Sequence, residues 1–188
     1  DPGTGHPECP ARLHAVTQAI HVAMPMLEWQ HSPQAEHYQL ARAHSHDLLD
    51  KILCADIGES FHIDADTVMS AKSKSAALHA AEAGIAAADA VMRGDIKLAF
   101  CAVRPPGHHA THNTAMGFCL FNNIAVCAAH LLSEHSLKRV AIVDFDVHHG
   151  NGTENIFSAD PRVLMVSTFQ HPLYPYSGLD DPAANMVN

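Results

Sequence analysis

The 188-residue sequence has few positive charges, with 11 Lys and Arg against 20 Asp and Glu. Its formal net charge of -9 gives a surface that repels a phosphate backbone, so we predict no direct nucleic-acid partner. Such a surface would instead tolerate or attract a cationic substrate. Aromatic residues are also scarce, at 6%, so a core drawn from the 47% of hydrophobic residues must depend on Ala, Val, Ile and Leu.

Long apolar runs and paired cysteines are missing as well. The sequence contains no run of 18 apolar residues and no visible signal peptide, so no membrane association is expected. Its five cysteines are odd in number and form no C-x-x-C pair, which argues against a disulfide framework and against a Cys-rich zinc site. We therefore predict reduced thiols and a cytoplasmic location.

Helical and strand patterns alternate along the chain, which predicts an α/β fold with a parallel sheet and helices on both faces. We interpret residues 1–188 as a single domain. Helices are predicted over 11–23, 45–55 with Ser45 as N-cap, 67–93 closed by Gly94, and 121–135. Buried parallel strands are predicted for the short apolar runs 97–103, 139–145 and 162–168.

Polar segments accompany the end of each predicted strand. The segment RPPGHH follows the first strand, DFDVHHGNG ends the second, and FQHPLYPYSG follows the third. Because ligands of open α/β sheets bind at the carboxyl ends of the strands, these segments predict one active site at one edge of the sheet.

The segment after the second strand has the character of a metal site. Asp144, Asp146 and His148 alternate, so in extended backbone their side chains point to one side. Two carboxylates and an imidazole brought together there are costly without a cation, and one Asp and one His with an open position suit catalytic zinc. The competing interpretation, a solvated turn with fortuitous acids, fits poorly with the apolar strand before it.

Other candidate residues are less specific. Adjacent His108 and His109 on a Pro-Pro-Gly loop suit proton transfer, but a His-His pair alone favours extra metal ligands or surface residues. Gly117 and Phe118 suit a narrow substrate slot, or an ordinary turn before a helix. Tyr174 is by itself more typical of packing than of a site.

Five segments taken together resemble the histone-deacetylase family, which includes acetylpolyamine amidohydrolases and acetoin-utilisation proteins. The resemblance covers residues 5–178, and the RPPGHH and HHGNGT forms look like its class II-like branch and bacterial relatives. The segments, in order, are HPECPARL, RPPGHHA, GFCLFNNIAVCA, VDFDVHHGNGTENIF and VSTFQHPLYPYSG.

This resemblance implies a catalytic centre built on Zn²⁺. Asp146 and His148 would be two of three zinc ligands. His109 would be the general base and later the general acid, and His108 would support the oxyanion or the leaving group. Asn151 would contact the base histidine at a position where some members carry Asp.

The resemblance also implies roles around that centre. Asp144 would bond to His108. Together with Ser167 and backbone carbonyls, it would also help to form a structural K⁺ site. The narrow acyl-amine channel would be lined by Gly117, Phe118 and Tyr174. Arg12 would line the internal channel by which acetate is thought to leave.

The implied activity is hydrolysis of an acetyl-amide bond on an acetylated lysine or an acetylated polyamine. The family's third zinc ligand and its Gly-Gly-Tyr loop are not found in the sequence, so we expect a partial chain that binds zinc weakly and turns over little. A non-catalytic, acyl-amine-binding pseudoenzyme of the same fold is an alternative. A two-manganese hydrolase on an arginase-like sheet is a weaker one, because His-His stands where a further Asp is needed. Oligomerisation is left open.

Overall fold

The structure is a computed structural model that describes residues 3, 5–58, 60–179 and 181–188. In this part of the chain no helix has the length and apolar character needed to cross a membrane. The elements in chain order are α1 (Pro10–Ala23), α2 (His37–Leu40), α3 (His46–Leu53), β1 (Phe61–His62), β2 (Val68–Met69), α4 (Ser73–Arg93), α5 (Asn123–Glu134), β3 (Val140–Asp144), α6 (Asn151–Phe157), β4 (Val163–Ser167) and β5 (Met186–Val187).

A small parallel sheet organises the second half of the chain. Its strand order is β3-β4-β5, and Asp144 at the end of β3 lies in register with Ser167 at the end of β4. Helix α5 packs on β3 and α6 packs on β4. The predicted α/β fold with a parallel sheet is confirmed, and the two predicted strands over 139–145 and 162–168 correspond to β3 and β4.

The helix predictions are mostly confirmed, with a shift at one boundary. Ser45 is the N-cap of α3 and accepts a hydrogen bond from the Leu48 amide at 3.3 Å. Gly94 closes α4 with a φ of 82°, a conformation that favours glycine. Helix α4 begins at Ser73 and not at residue 67, because β2 pairs with β1 in an antiparallel hairpin just before it.

The prediction of a strand over 97–103 is wrong. Among the described residues these have no strand partner, and the side chains of Leu98 and Phe100 are 89% and 71% exposed. Strand β3 bonds to β4 on one side and leaves its other edge without a described partner. An apolar run signals a preference for burial, whereas a strand also needs a neighbouring backbone to bond to, and the run itself does not specify one.

A buried histidine joins three segments of the chain in the core. The Nδ1–H of His44 donates to the Thr111 carbonyl at 3.0 Å, and its Nε2 accepts from the Asn122 amide at 2.8 Å. The ring lies against Phe121, 5.7 Å between centroids, and is 1% exposed. Burial lowers the pKa of His44 to about 4, so the neutral ring is the form that the fold accommodates.

Acid should therefore destabilise this protein partly through His44. As pH falls below 6.5, the His44 imidazole takes up a proton in the unfolded state but not in the folded state. The free energy of unfolding therefore decreases between pH 6.5 and pH 4. At pH 5 we expect a loss of about 2 kcal/mol relative to pH 8 from this group. In urea unfolding at both pH values, the loss of stability should be about 2 kcal/mol larger in the wild type than in His44→Gln.

The matched control is His14→Gln, which changes an exposed histidine of α1. It should keep the wild-type dependence on pH. An equal loss of stability on acidification in wild type and His44→Gln would contradict the assignment.

Candidate active site

The histidine pair is held by the beginning of α6. The backbone amides of Gly152 and Thr153 donate to the carbonyl of His108 at 2.9 and 3.2 Å. The two backbones approach so closely that a Cβ on Gly152 would lie 2.3 Å from the carbonyl oxygen of Ala110. Only glycine fits here, and this explains a glycine inside a helix, where it is otherwise unfavourable.

Asn122 fixes the other side of the same segment, and sequence reasoning missed it. Its Nδ2 donates to the Ala110 carbonyl and to Thr153 Oγ1, both at 3.1 Å, and its Oδ1 caps α5 by accepting from the Ala125 amide. The residue is fully buried. An Asn directly before a helical pattern is an N-cap signal, but the predicted helix over 121–135 includes Asn122 and hides that signal.

His108 is bound to the end of β3. Its Nδ1–H donates to Asp144 Oδ2 at 2.9 Å, and both side chains are mostly buried. Burial opposes ionisation of this carboxyl, but the hydrogen bond and charge of His108 hold the pKa of Asp144 below its ordinary value. A Cβ on Gly150 would lie 2.3 Å from Asp144 Oδ2, so this glycine keeps space for the carboxylate.

His109 is the more buried of the pair, at 4% exposed. Its ring lies 4.0 Å from that of His108 between centroids, and its Nδ1–H donates to Asn151 Oδ1 at 2.8 Å. Burial, together with the neighbouring His108, lowers the pKa of His109 to about 4. The imidazole is therefore neutral near pH 7, and the tautomer fixed by Asn151 leaves Nε2 as a proton acceptor.

Gly117 and Tyr174 lie against His109, and Phe118 follows Gly117 in the chain. Their role as a channel stays a prediction. Gly117 has a φ of 56°, and a Cβ there would lie 2.5 Å from His109 Cδ2. Phe118 follows with a φ of 70°, and its amide donates to Thr67 Oγ1 at 3.1 Å. The Tyr174 ring stands perpendicular to the His109 ring, 5.0 Å between centroids.

Asp146 and His148 lie together in the loop after β3. His148 Nδ1 is 3.0 Å from Asp146 Oδ1, and the His148 backbone amide donates to the same oxygen at 2.7 Å. The side chains are 49% and 40% exposed respectively. The ring of His148 lies 5.9 Å from that of His109. One oxygen and one nitrogen donor thus face solvent beside the buried proton acceptor.

Ser167 lies next to this loop, at the end of β4. Its hydroxyl is buried, in register with Asp144, and has no hydrogen-bond partner among the described residues. A buried hydroxyl without a partner is costly, so its oxygen is suited to an ion that the protein chain does not itself provide.

The predicted internal-channel residue, Arg12, lies apart from these groups. Its side chain is 65% exposed and forms an ion pair with Glu8. Glu8 is buried and also binds Arg104, whose Nε donates to it at 2.8 Å. Glu8 and Arg104 line a cavity of about 120 Å³ behind Phe118. The role of Arg12 stays a prediction.

Comparison with known proteins identifies the family. The model of the histone deacetylase domain matches residues 6–185. The chain belongs to the histone deacetylase family. The crystal structure of the HDA15 HD domain superposes with a TM-score of 0.89 at 34% identity, covering 97% of this chain and 55% of that one.

Family relatives occur in bacteria and plants. An uncharacterized Synechocystis protein is 42% identical over 94% of this chain and 59% of its own length. Histone deacetylase 5 of Arabidopsis thaliana is 36% identical over 98% of this chain and 30% of its own length. The histone deacetylase-like amidohydrolase of Pseudomonas aeruginosa is 35% identical over 94% of this chain and 48% of its own length. The chain thus spans about 30–59% of the length of these relatives.

Gly152→Ala tests the close approach that holds the histidine pair. Helix propensity alone predicts a gain of about 1 kcal/mol, because alanine is the better helix former. The contact with Ala110 predicts the opposite, a loss of roughly 2 kcal/mol or more. Chemical denaturation should decide between the two signs.

Gly58→Ala is the matched control, since a Cβ there meets nothing within 4 Å. It should leave stability within about 0.5 kcal/mol of wild type. A Gly152→Ala protein at least as stable as wild type would show that the two segments do not approach as described.

Proposed function

We propose that this chain carries the histidine pair and two metal ligands of a zinc-dependent deacetylase, which hydrolyses acetyl-amide bonds on amines. The main support is the state of His109: a buried, neutral imidazole whose Nδ1–H is engaged by Asn151 and whose Nε2 is available beside Asp146 and His148. Membership of the histone deacetylase family supports amidohydrolase chemistry.

The donor atoms suit zinc. Asp146 Oδ1 and His148 Nδ1 are 3.0 Å apart, close to the separation of two ligands of one tetrahedral ion, about 3.3 Å for bonds near 2.0 Å. Nitrogen and oxygen donors with open positions are typical of catalytic zinc. When bound, zinc would supply Lewis-acid polarisation of the acetyl carbonyl and of the attacking water.

The protein side chains then move the protons. His109 Nε2 takes a proton from the attacking water as the carbonyl carbon is attacked, and afterwards delivers it to the departing amine. Asn151 holds the ring in the tautomer that this transfer needs. His108, with its Nδ1–H given to Asp144, presents its own Nε2 beside this transfer and supports the charge that develops there.

The surroundings of His109 favour a thin, uncharged acyl chain with a cationic or polar tail. The Tyr174 ring provides an apolar wall, and burial, with the nearby charge of Asp64, raises the pKa of Tyr174 to about 12, so its hydroxyl stays neutral. The net charge of -9 attracts an amine-bearing substrate. We propose an acetylated lysine side chain or an acetylated polyamine.

A monovalent cation, K⁺, is proposed behind the zinc site. The buried hydroxyl of Ser167 and the backbone at Asp144 meet in register at the strand ends. A K⁺ ion there would use oxygen ligands only, which is the donor class that hard cations prefer. It would also fix the carboxylate that orients His108.

The 188 residues supply two zinc ligands, and catalytic zinc sites use three protein ligands. We therefore propose weak zinc binding and little turnover by this chain alone, in agreement with its coverage of about half of its relatives. The alternative is a pseudoenzyme that binds an acylated amine without turnover.

Five cysteines without disulfide partners, all in described parts of the chain, are compatible with the reducing cytoplasm that we propose as its location.

Zinc binding at the two proposed ligands is directly measurable. Equilibrium dialysis against ZnCl₂ should show zinc at the Asp146–His148 pair, and Asp146→Ala should lower the amount of zinc bound per chain, because a single imidazole is a weak site. Asp56→Ala, at an exposed aspartate of the loop after α3, is the matched control and should bind as wild type. Unchanged zinc stoichiometry and affinity in Asp146→Ala would contradict the ligand assignment.

Activity requires the chain extended to the length of its relatives. There His109→Gln should lower kcat for an acetyl-lysine peptide or N-acetylputrescine by at least about 100-fold, because the proton acceptor is lost. Zinc content should be unchanged. The control is His31→Gln, at an exposed histidine far along the chain from the site. No turnover by the unmodified extended protein would favour the pseudoenzyme.

A further inference from the structure

A second cluster of metal-binding side chains lies between α4 and α5, apart from the candidate active site. Asp89 of α4 faces His130 of α5 and His135, the C-cap residue directly after α5. Both imidazoles place Nε2 at 2.7 Å from the same oxygen, Asp89 Oδ1. Among the described residues, this is the group whose three donor atoms all lie within 4.8 Å of one another.

We propose that Asp89, His130 and His135 form a second zinc site that joins α4 to α5. Two imidazole nitrogens and one carboxylate oxygen are a donor set typical of zinc. Placing an ion at zinc's usual bond lengths requires the donors to separate from 2.7 Å to about 3.3 Å. Small rotations of the side chains supply that opening, and the helices need not move.

The burial of the three side chains fits an ion at the edge of the core. His130 is 8% exposed and its ring is held between Asp89 and Arg42, whereas His135 and Asp89 are 23% and 33% exposed. The outer two residues leave a solvent-facing side, where water would complete a tetrahedral shell. The two rings meet at 68° with centroids 5.5 Å apart, so their nitrogens converge on a point and the rings do not stack.

The protonation of His130 sets the condition for binding. Its Nδ1 lies 3.1 Å from Arg42 Nη1, so Nδ1 accepts from the guanidinium and Nε2 carries the proton. When zinc binds Nε2, the ring proton must lie on Nδ1, where it would face the N–H donor of Arg42. The Arg42 guanidinium must therefore move away from Nδ1. Its other two contacts, with the Glu134 carboxylate and with the Tyr38 ring at 5.1 Å from the centroid, can hold it in the new position.

The surrounding charges favour a cation despite Arg42. Glu82 on α4 and Glu134 on α5 accompany Asp89, so three carboxyl groups stand against one guanidinium. Burial raises the pKa of Glu82, which is the expected response of an acid in a crowded, partly buried site. A dication would relieve the repulsion among these carboxylates and replace the hydrogen bonds that now join the histidines to Asp89.

The test uses zinc alone and a protein without the proposed catalytic ligands. In an Asp146→Ala/His148→Ala background, equilibrium dialysis with ZnCl₂ should still show about one zinc per chain, and zinc should raise Tm. Adding His135→Gln should weaken the affinity by roughly tenfold or more and abolish the rise in Tm. His14→Gln in the same background should change neither.

Asp89→Asn provides a second variant, because the amide keeps a hydrogen-bond acceptor for both histidines but is a poor zinc ligand. It should fold as the background protein, by circular dichroism, and bind zinc weakly. Co²⁺ gives an independent readout, as its visible absorption bands should appear on binding and be lost in His135→Gln. Zinc binding that persists undiminished in His135→Gln and Asp89→Asn, or no zinc bound by the background protein, would overturn the proposal and leave a purely hydrogen-bonded cluster.

Discussion

The carbonyl of His108 accepts hydrogen bonds from the amides of Gly152 and Thr153, and the geometry of the candidate site depends on this contact. Residues 97–103, which precede the histidines, have no strand partner among the described residues. The pair is therefore positioned less by a strand of its own than by the start of α6. Because only the loop 145–150 separates β3 from α6, the histidines and the two proposed metal ligands share one frame.

That frame works only because several positions lack a side chain. A Cβ on Gly152, Gly150 or Gly117 would fall on the backbone of Ala110, on the Asp144 carboxylate or on the His109 ring respectively. The glycines of HHGNG and GF thus set distances between the segments they join. The buried amide of Asn122 fills the remaining hydrogen bonds, and buried polar groups that are fully paired favour a unique geometry.

The two proposed zinc sites differ in their exposure and in the number of protein donors. Asp146 and His148 are nearly half exposed, close to a buried proton acceptor, and leave positions for substrate and water. The cluster around His130 has three protein donors and a buried ring, with only a solvent-facing side open. An open site favours chemistry, whereas a site that ties two helices favours stability.

Local pattern predicted the elements that depend on local interactions. Ser45 and Gly94 mark helix ends because capping depends on residues three or four positions apart. The apolar runs of β3 and β4 were also predicted correctly. The strand over 97–103 was not, since pairing needs a neighbour that an apolar run cannot specify. The metal site predicted from the alternation of Asp144, Asp146 and His148 stays a prediction, and Asp144 is bonded to His108.

The sequence by itself determined which chemistry is present: the histidine pair, the alternating acids, the glycines between them and the family to which they belong. Only the tertiary structure decided which of these groups touch. The local sequence of His44 does not distinguish it from an ordinary residue. Asp89 meets His130 and His135 across 41 and 46 positions. Contacts at such separations arise from helix packing, and no local pattern encodes the register in which two helices meet.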